Sequence, residues 1–204
     1  MYRESKLMNV GIREVAKDRL LEYASISIAF EVSVQLRVEQ IKGYPGGIRL
    51  IEEPVNPPYL KDYDDQGEDG PLTWGKQFDL TNWGFLLAEG VKPDRNVMGG
   101  AAIAYATPEV YMLEQRQDLA VLWDIRVQPE ARGQGVGKQL FWAAVGWARK
   151  RGCRQMKIET QNVNVPACRF YAAQGCELGA IHRYAYAGHP KVGDETMLLW
   201  YLDL

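Results

Sequence analysis

VQPEARGQGVGK, residues 127–138, is the stretch whose reading decides the fold. The run before it, LAVLWDIRV (119–127), reads as a strand. Beyond it Leu140, Phe141, Ala144, Val145 and Ala148 recur at helical spacing, so a helix is expected over Gly133–Gly152, with Gly152 as its stop. A strand therefore feeds a tight turn that opens a helix. Backbone N–H groups at a helix start lack intrahelical partners, and the helix dipole there favours an anion. Gly133, Gly135 and Gly137 remove side chains, so a pyrophosphate could approach the main chain, and Arg132 and Lys138 could add charge-assisted contacts. Two common phosphate loops do not fit. A dinucleotide fingerprint counted from Gly133 and Gly135 would need glycine where Lys138 stands. A P-loop would need glycine at Arg132 and serine or threonine at Gln139.

Working outward, NWGFLLAEG (82–90) and VMGGAAIAYA (97–106) read as two strands of an antiparallel hairpin joined by a turn at KPDRN (92–96). QMKIET (155–160) is a strand, Pro166–Gln174 a short helix closed by Gly175, and GAIHRYAYAG (179–188) and TMLLWYLDL (196–204) are two final strands. Upstream, Glu22–Gln40 reads as one or two strands and Tyr44-Pro45-Gly46-Gly47 as a turn. Pro54, Pro57, Pro58 and Pro71, with Gly67 and Gly70, argue against a regular helix or central strand, so residues 52–74 are expected as an acidic loop. This order implies an α/β (α+β) fold: a mixed, mostly antiparallel sheet with helices on both faces.

Composition sets the outer bounds. The 204 residues suit a single domain, with residues 1–81 a variable part and 82–204 a regular core. A net charge of −2 gives no sign of a general nucleic-acid or membrane-surface binder. Cys153, Cys168 and Cys176, with His182 and His189, have no metal-ligand spacing, so no metal is expected. The start MYRESKLMNV lacks the apolar core of a signal peptide, and a reduced cytoplasm is the default reading.

The turn's R-x-x-G-x-G after V-x-P resembles the cofactor loop of the GNAT N-acetyltransferase superfamily, which cradles the pyrophosphate of coenzyme A. A second stretch, IETQNVNVPACRFYAAQG (158–175), carries the superfamily's N-x-x-A-x-x-x-Y at Asn164, Ala167 and Tyr171. Together with WDIRV it resembles the streptothricin acetyltransferase branch over roughly Asn82–Leu204. The resemblance implies acetyl-CoA as co-substrate. It implies a cofactor-binding set of Ile125, Val127, Arg132, Gly133, Gln134, Gly135, Val136, Gly137, Lys138 and Asn164, the last touching the cofactor arm or capping its helix. It also implies that Tyr171 lies near the thioester sulfur and that the first part of the chain shapes the acceptor pocket. Cys176 departs from the pattern, standing where an aromatic residue is common.

The expected reaction is direct acetyl transfer from acetyl-CoA to a primary amine. A lysine-like amine with pKa ≈ 10.4 costs about 4.6 kcal/mol to neutralise at pH 7, so a base helps, and an acid helps the thiolate leave. Glu159 is the preferred base, Asp124 on the neighbouring strand the runner-up, and Tyr171 the acid. Plainer readings are a surface ion pair from Glu159 to Lys157 or Arg169, a structural Asp124 and a core Tyr171. His182 and His189 are read as non-catalytic. Cys168 lacks a base partner, so a ping-pong route is rejected. The acidic run from Asp62 to Asp69 could recruit a small cationic acceptor such as an aminoglycoside, a polyamine or streptothricin, or could be a solvated loop. Trp74, Trp83 and Trp123 could line the acceptor pocket or sit in the core. A protein N-terminus or lysine as acceptor, or a non-catalytic acyl-CoA-binding domain, are the alternatives. Gly99 and Gly100 would let a second backbone approach, which leaves a homodimer open.

Overall fold

The computed structural model describes residues 10–66, 70–90 and 96–204. In chain order the elements are β1 (Val10–Val15), α1 (Leu20–Ala24), β2 (Phe30–Ile41), β3 (Gly47–Lys61) and α2 (Trp74–Gln77). There follow β4 (Gly84–Gly90), β5 (Val97–Ala104), β6 (Leu119–Val127), α3 (Val136–Lys150), β7 (Gln155–Gln161), α4 (Val165–Ala173), β8 (Glu177–His182) and β9 (Met197–Asp203). The chain is a mixed α/β protein whose strand pairs are mostly antiparallel. It divides into two compact units. One holds the residues up to Ile28, Tyr63–Lys157 and Asp203–Leu204; the other holds Ala29–Asp62 and Ile158–Leu202.

In the first unit β1, β4, β5 and β6 lie side by side, each antiparallel to the next. Two adjacent glycines in β5 show how helices cover both faces, because consecutive strand residues point to opposite sides. A Cβ at Gly99 would come within 2.9 Å of Leu140 and 3.3 Å of Val136 on α3. A Cβ at Gly100 would come within 2.6 Å of Tyr23 on α1. The close approach these glycines permit is thus to the chain's own helices. The apolar stripe of α3 is buried as its spacing predicts: Leu140, Phe141, Ala144, Val145 and Ala148, joined by Trp147. Trp74 and Trp83 are buried and Trp123 half-buried, in one aromatic cluster with Tyr23, Phe78 and Phe85. Trp83 Nε1 donates to Thr107 Oγ1 at 3.1 Å. The hairpin connection KPDRN falls almost wholly outside the described residues, as do Glu68 and Asp69 of the acidic run.

In the second unit β9 lies between β7 and β8, and β8 pairs antiparallel with β9 from Glu177↔Tyr201 to His182↔Met197. Residues 183 onward leave β8 in turns, so the final strand read over 179–188 ends early. The run with Gly188, Pro190 and Gly193 breaks strand geometry there. The β2–β3 ribbon revises two further expectations. Glu22–Ala24 belongs to α1, so only the later part of Glu22–Gln40 is strand. The acidic loop expected over 52–74 is strand as far as Lys61. Val32 pairs with Tyr59 and Val34 with Pro54, so residues 55–58 bulge opposite Ser33 and carry Pro57 and Pro58 out of the ladder. Proline is excluded from the interior of a sheet but not from a bulge or an edge strand, and among the described residues the β2–β3 sheet has two strands.

Candidate functional site

In the first unit the turn after β6 forms as its sequence dictates. Pro129–Ala131 make a 3-10 turn, and Gly133 and Gly135 take φ of +72° and +82°, the left-handed region that side chains disfavour. Gly135 caps α3, and the first intrahelical bond runs from Gln139 N to Gly135 O at 3.1 Å. The N–H groups of Val136, Gly137 and Lys138 therefore lie ahead of the helical ladder, and a Cβ at Gly133 would meet no atom within 4 Å. An anion cradle built from backbone fits this geometry. Lys138 is exposed, while Ile125 and Val127 are half-buried on β6 opposite Ala101 and Gly99. Arg132, expected to add a charge-assisted contact to a pyrophosphate, also has partners in the chain itself. Its Nε donates to Val127 O at 2.9 Å and its Nη2 to Ser27 O at 3.0 Å, so it braces the turn against the chain's own backbone.

Asp124 also lies in the first unit, inside a buried network. Tyr23 Oη donates to its Oδ1 at 2.5 Å, and Arg126 holds both its oxygens, Nε to Oδ1 at 2.9 Å and Nη2 to Oδ2 at 2.7 Å. Asp124 and Arg126 are two apart on β6 and so share a face. Gly100 pairs with Arg126 across the ladder and leaves room for the Tyr23 ring. Arg126, 3% exposed, also donates to Asp64 Oδ2 at 2.8 Å and to Ile26 O at 3.2 Å. Burial opposes the Arg126 charge, but its bonds to Asp124 and Asp64 and the adjacent carboxylate charge outweigh that and hold the guanidinium above its usual range. Burial, reinforced by the Asp124 charge, pushes the Tyr23 phenol well above its usual range. Asp64, from the acidic run, is thus committed to an internal ion pair.

In the second unit Glu159 is half-buried near the end of β7. Its Oε1 accepts from Tyr186 Oη at 2.5 Å, and Gln161 Nε2 donates to Tyr186 Oη at 2.9 Å and to Glu159 Oε1 at 3.4 Å. Lys157 holds Glu114 at 2.7 Å and Arg169 holds Glu52 at 2.5 Å. Asn164 caps α4, its Oδ1 accepting from Ala167 N at 3.1 Å. Tyr171 is buried on the same helix. Cys168 lies against Thr160 Oγ1 at 3.4 Å, and burial raises its thiol. Cys176 is pushed up to about 11 by burial. His182 is exposed at the end of β8, and His189 Nδ1 accepts from Lys191 N at 3.2 Å. Tyr186 and Gln161 are the partners that sequence reasoning missed. Tyr186 lies 27 positions beyond Glu159, in a segment read as strand. Among the described residues no group of three or more His, Cys, Asp or Glu could hold a metal, and no helix is long and apolar enough to cross a membrane.

Known proteins share both the sequence pattern and the fold. The model of the acetyltransferase (GNAT) family matches residues 50–176. The chain is 42% identical over 84 residues to a streptothricin acetyltransferase of Escherichia coli, across 41% of this chain and 48% of that protein, so the match spans about half that relative's length. It is 30% identical over 154 residues to a streptothricin acetyltransferase of Streptomyces lavendulae, across 75% of each. Among solved structures, a candidate streptothricin acetyltransferase from Bacillus anthracis str. Ames, in complex with acetyl coenzyme A, superposes with a TM-score of 0.71 at 26% identity over 98% of this chain and 99% of that one. A glycine turn with backbone donors at the head of α3 and a family match over more than half of the sequence lead to one conclusion: the chain belongs to the acetyltransferase (GNAT) family, as an enzyme that takes its acetyl group from acetyl-CoA.

Proposed function

We propose that the enzyme acetylates the primary amine of a small cationic acceptor of the streptothricin kind, by direct transfer. The observation that carries the acceptor class is the similarity to a streptothricin acetyltransferase over three quarters of both chains. The residues at the head of α3, Val136, Gly137 and Lys138 with the turn Gly133–Gly135, would hold the pyrophosphate through backbone N–H groups, with Ile125, Val127 and Asn164 along the cofactor arm. When bound, acetyl-CoA supplies an activated acyl carbon and a thiolate leaving group.

The chain's own residues then handle protons. Glu159 acts as the base that takes a proton from the acceptor ammonium, directly or through water, so that the neutral amine can attack the thioester carbon. Its link to Tyr186 supports this choice, because that hydroxyl engages one oxygen and fixes the carboxylate's orientation. Asp124 is the weaker candidate, since both of its oxygens are held by Arg126. Tyr171 acts as the acid that returns a proton to the departing sulfur.

The reading is tested by following coenzyme A release from acetyl-CoA with streptothricin, an aminoglycoside, spermidine, lysine and a short peptide as acceptors. Turnover on a cationic small amine, lost in Glu159→Gln, is the expected result. Turnover on the peptide alone would replace the acceptor class by a protein amine.

A further inference from the structure

Across the β5–β6 ladder Ala102 faces Asp124 and Ile103 faces Leu122, which leaves Trp123 as an extra residue on β6. A bulge of this kind re-aims the side chain it adds. The two faces of β6 are marked by their neighbours. Val127 lies opposite Gly99, against Val136 and Leu140 of α3, and Arg126 lies opposite Gly100, against Tyr23 of α1. Strict alternation would give Trp123 to the α3 face, with Ile125 and Val127. Its ring instead lies 5.3 Å from Trp83 and 5.2 Å from Phe78, and Trp83 lies 6.2 Å from Phe85. Phe85, Ala102 and Asp124 form one cross-strand row, so the bulge turns Trp123 onto the α1 face, beside Asp124.

This face is lined with rings. Trp74 and Trp83 are buried, and the Trp83 N–H is spent on Thr107 Oγ1 at 3.1 Å, so these two form the backing. Trp123 and Phe78 are half-buried and leave part of their surface open, with 72° between their planes. Asp124, the next residue along the strand, is held at both oxygens by Arg126. What Trp123 and Phe78 offer a cation here is therefore the negative potential of two ring systems. The same cluster already takes one: the Arg126 guanidinium carbon lies 5.3 Å from the centre of the Tyr23 ring.

We propose that Trp123 and Phe78 form an aromatic wall that seats a charged amine of the acceptor, other than the one acetylated, by cation–π contact. This rests on the acceptor reading above. The cofactor turn lies at the head of α3, and Ile125 and Val127 share the α3 face, so acetyl-CoA takes that face of β6 and leaves the α1 face to the acceptor.

The test is calorimetric titration of the full chain, loaded with coenzyme A, with streptothricin, alongside steady-state kinetics. Trp123→Leu should weaken streptothricin binding by roughly fivefold, about one such contact, and Phe78→Leu by about threefold. Trp123→Phe restores a ring and should stay within about twofold of wild type. Folding is checked by thermal melting, and affinity for coenzyme A should be alike in all folded variants, because a collapsed strand would weaken both ligands. Cadaverine and hexylamine separate charge from bulk, since one carries an ammonium where the other has a methyl group. As competitors of streptothricin the wild type should favour cadaverine, and Trp123→Leu should erase that preference. Equal streptothricin affinity in wild type and the folded leucine variants overturns the proposal, as does an equal loss for cadaverine and hexylamine. If streptothricin binding depends on Trp123 but no cationic amine is acetylated, the wall stands and the acceptor reading falls. If streptothricin is acetylated with unchanged KM in the folded variants, the acceptor reading stands and the wall falls. If streptothricin neither binds nor reacts, both fall.

Discussion

The two carboxylates near the ends of β6 and β7 live in opposite circumstances. Asp124 is gripped at both oxygens by a guanidinium that is itself 3% exposed, and a buried phenol adds a third bond. Glu159 is bonded to a phenol and an amide, neutral groups that orient it. Removing one member of a buried ion pair leaves the other charge buried and uncompensated, so a carboxylate held by a buried cation is tied to the fold in a way that one held by neutral donors is not. The contrast teaches that position on the strand is a weaker guide to role than the charge of the partner.

The largest expected effect breaks the comparison from the Glu159 side. Glu159→Gln should lower kcat/KM by about 10²–10⁴, the range for a lost general base, with thermal stability little changed. Activity surviving within tenfold would remove Glu159 from the role. Tyr171→Phe should lower kcat on the same scale, read by coenzyme A release at saturating substrate. Asp124→Asn should do the reverse, costing about 3–5 kcal/mol of stability because Arg126 is left buried with one of its two carboxylate partners gone. Urea unfolding measures this, and residual activity should track the folded fraction. Tyr186→Phe sharpens the contrast: kcat/KM should fall by about three- to tenfold, the value of one hydrogen bond. An unchanged kcat/KM would make Tyr186 merely structural. The smallest effect concerns Cys176. Its thiol is raised by burial to about 11, so native protein should react slowly with a thiol reagent at pH 8 and quickly once unfolded. The folded state holds that proton more tightly. The associated stability is therefore complete below the ordinary thiol range near 9 and is lost as pH rises towards 11.

The second half of the chain was legible because its signals are local. LAVLWDIRV is β6 residue for residue, and the stripe from Leu140 to Ala148 is the buried face of α3. β1 was missed because VGIREV is short and partly charged, and its partner β4 lies some 75 residues further along the chain. The later part of β3, from residue 52, reads as loop because proline signals a break, and nothing local reveals that a four-residue bulge will absorb two of the prolines. Glu159, Asn164 and Tyr171 were named from a motif, but their partners were not. The Tyr186 bond to Glu159 and the Asp64 bond to Arg126 span 27 and 62 positions, and such pairings follow from topology rather than from spacing. Arg132 shows the same limit. Its motif suggests a ligand contact, whereas two of its donors meet carbonyls in its own unit.

The prolines of β3 have a consequence beyond local geometry. A two-stranded ribbon leaves each strand with an outward edge, and exposed edges are templates on which a second chain can add. Pro54, Pro57 and Pro58 have no N–H to offer such a strand, and the bulge at 55–58 breaks the row of carbonyls as well. On β2, Leu36 N and O are taken up by Asn162. The ribbon is thereby insulated against growth into a larger sheet, so replacing Pro57 and Pro58 with valine should reveal itself first as precipitation on concentration rather than as lost catalysis.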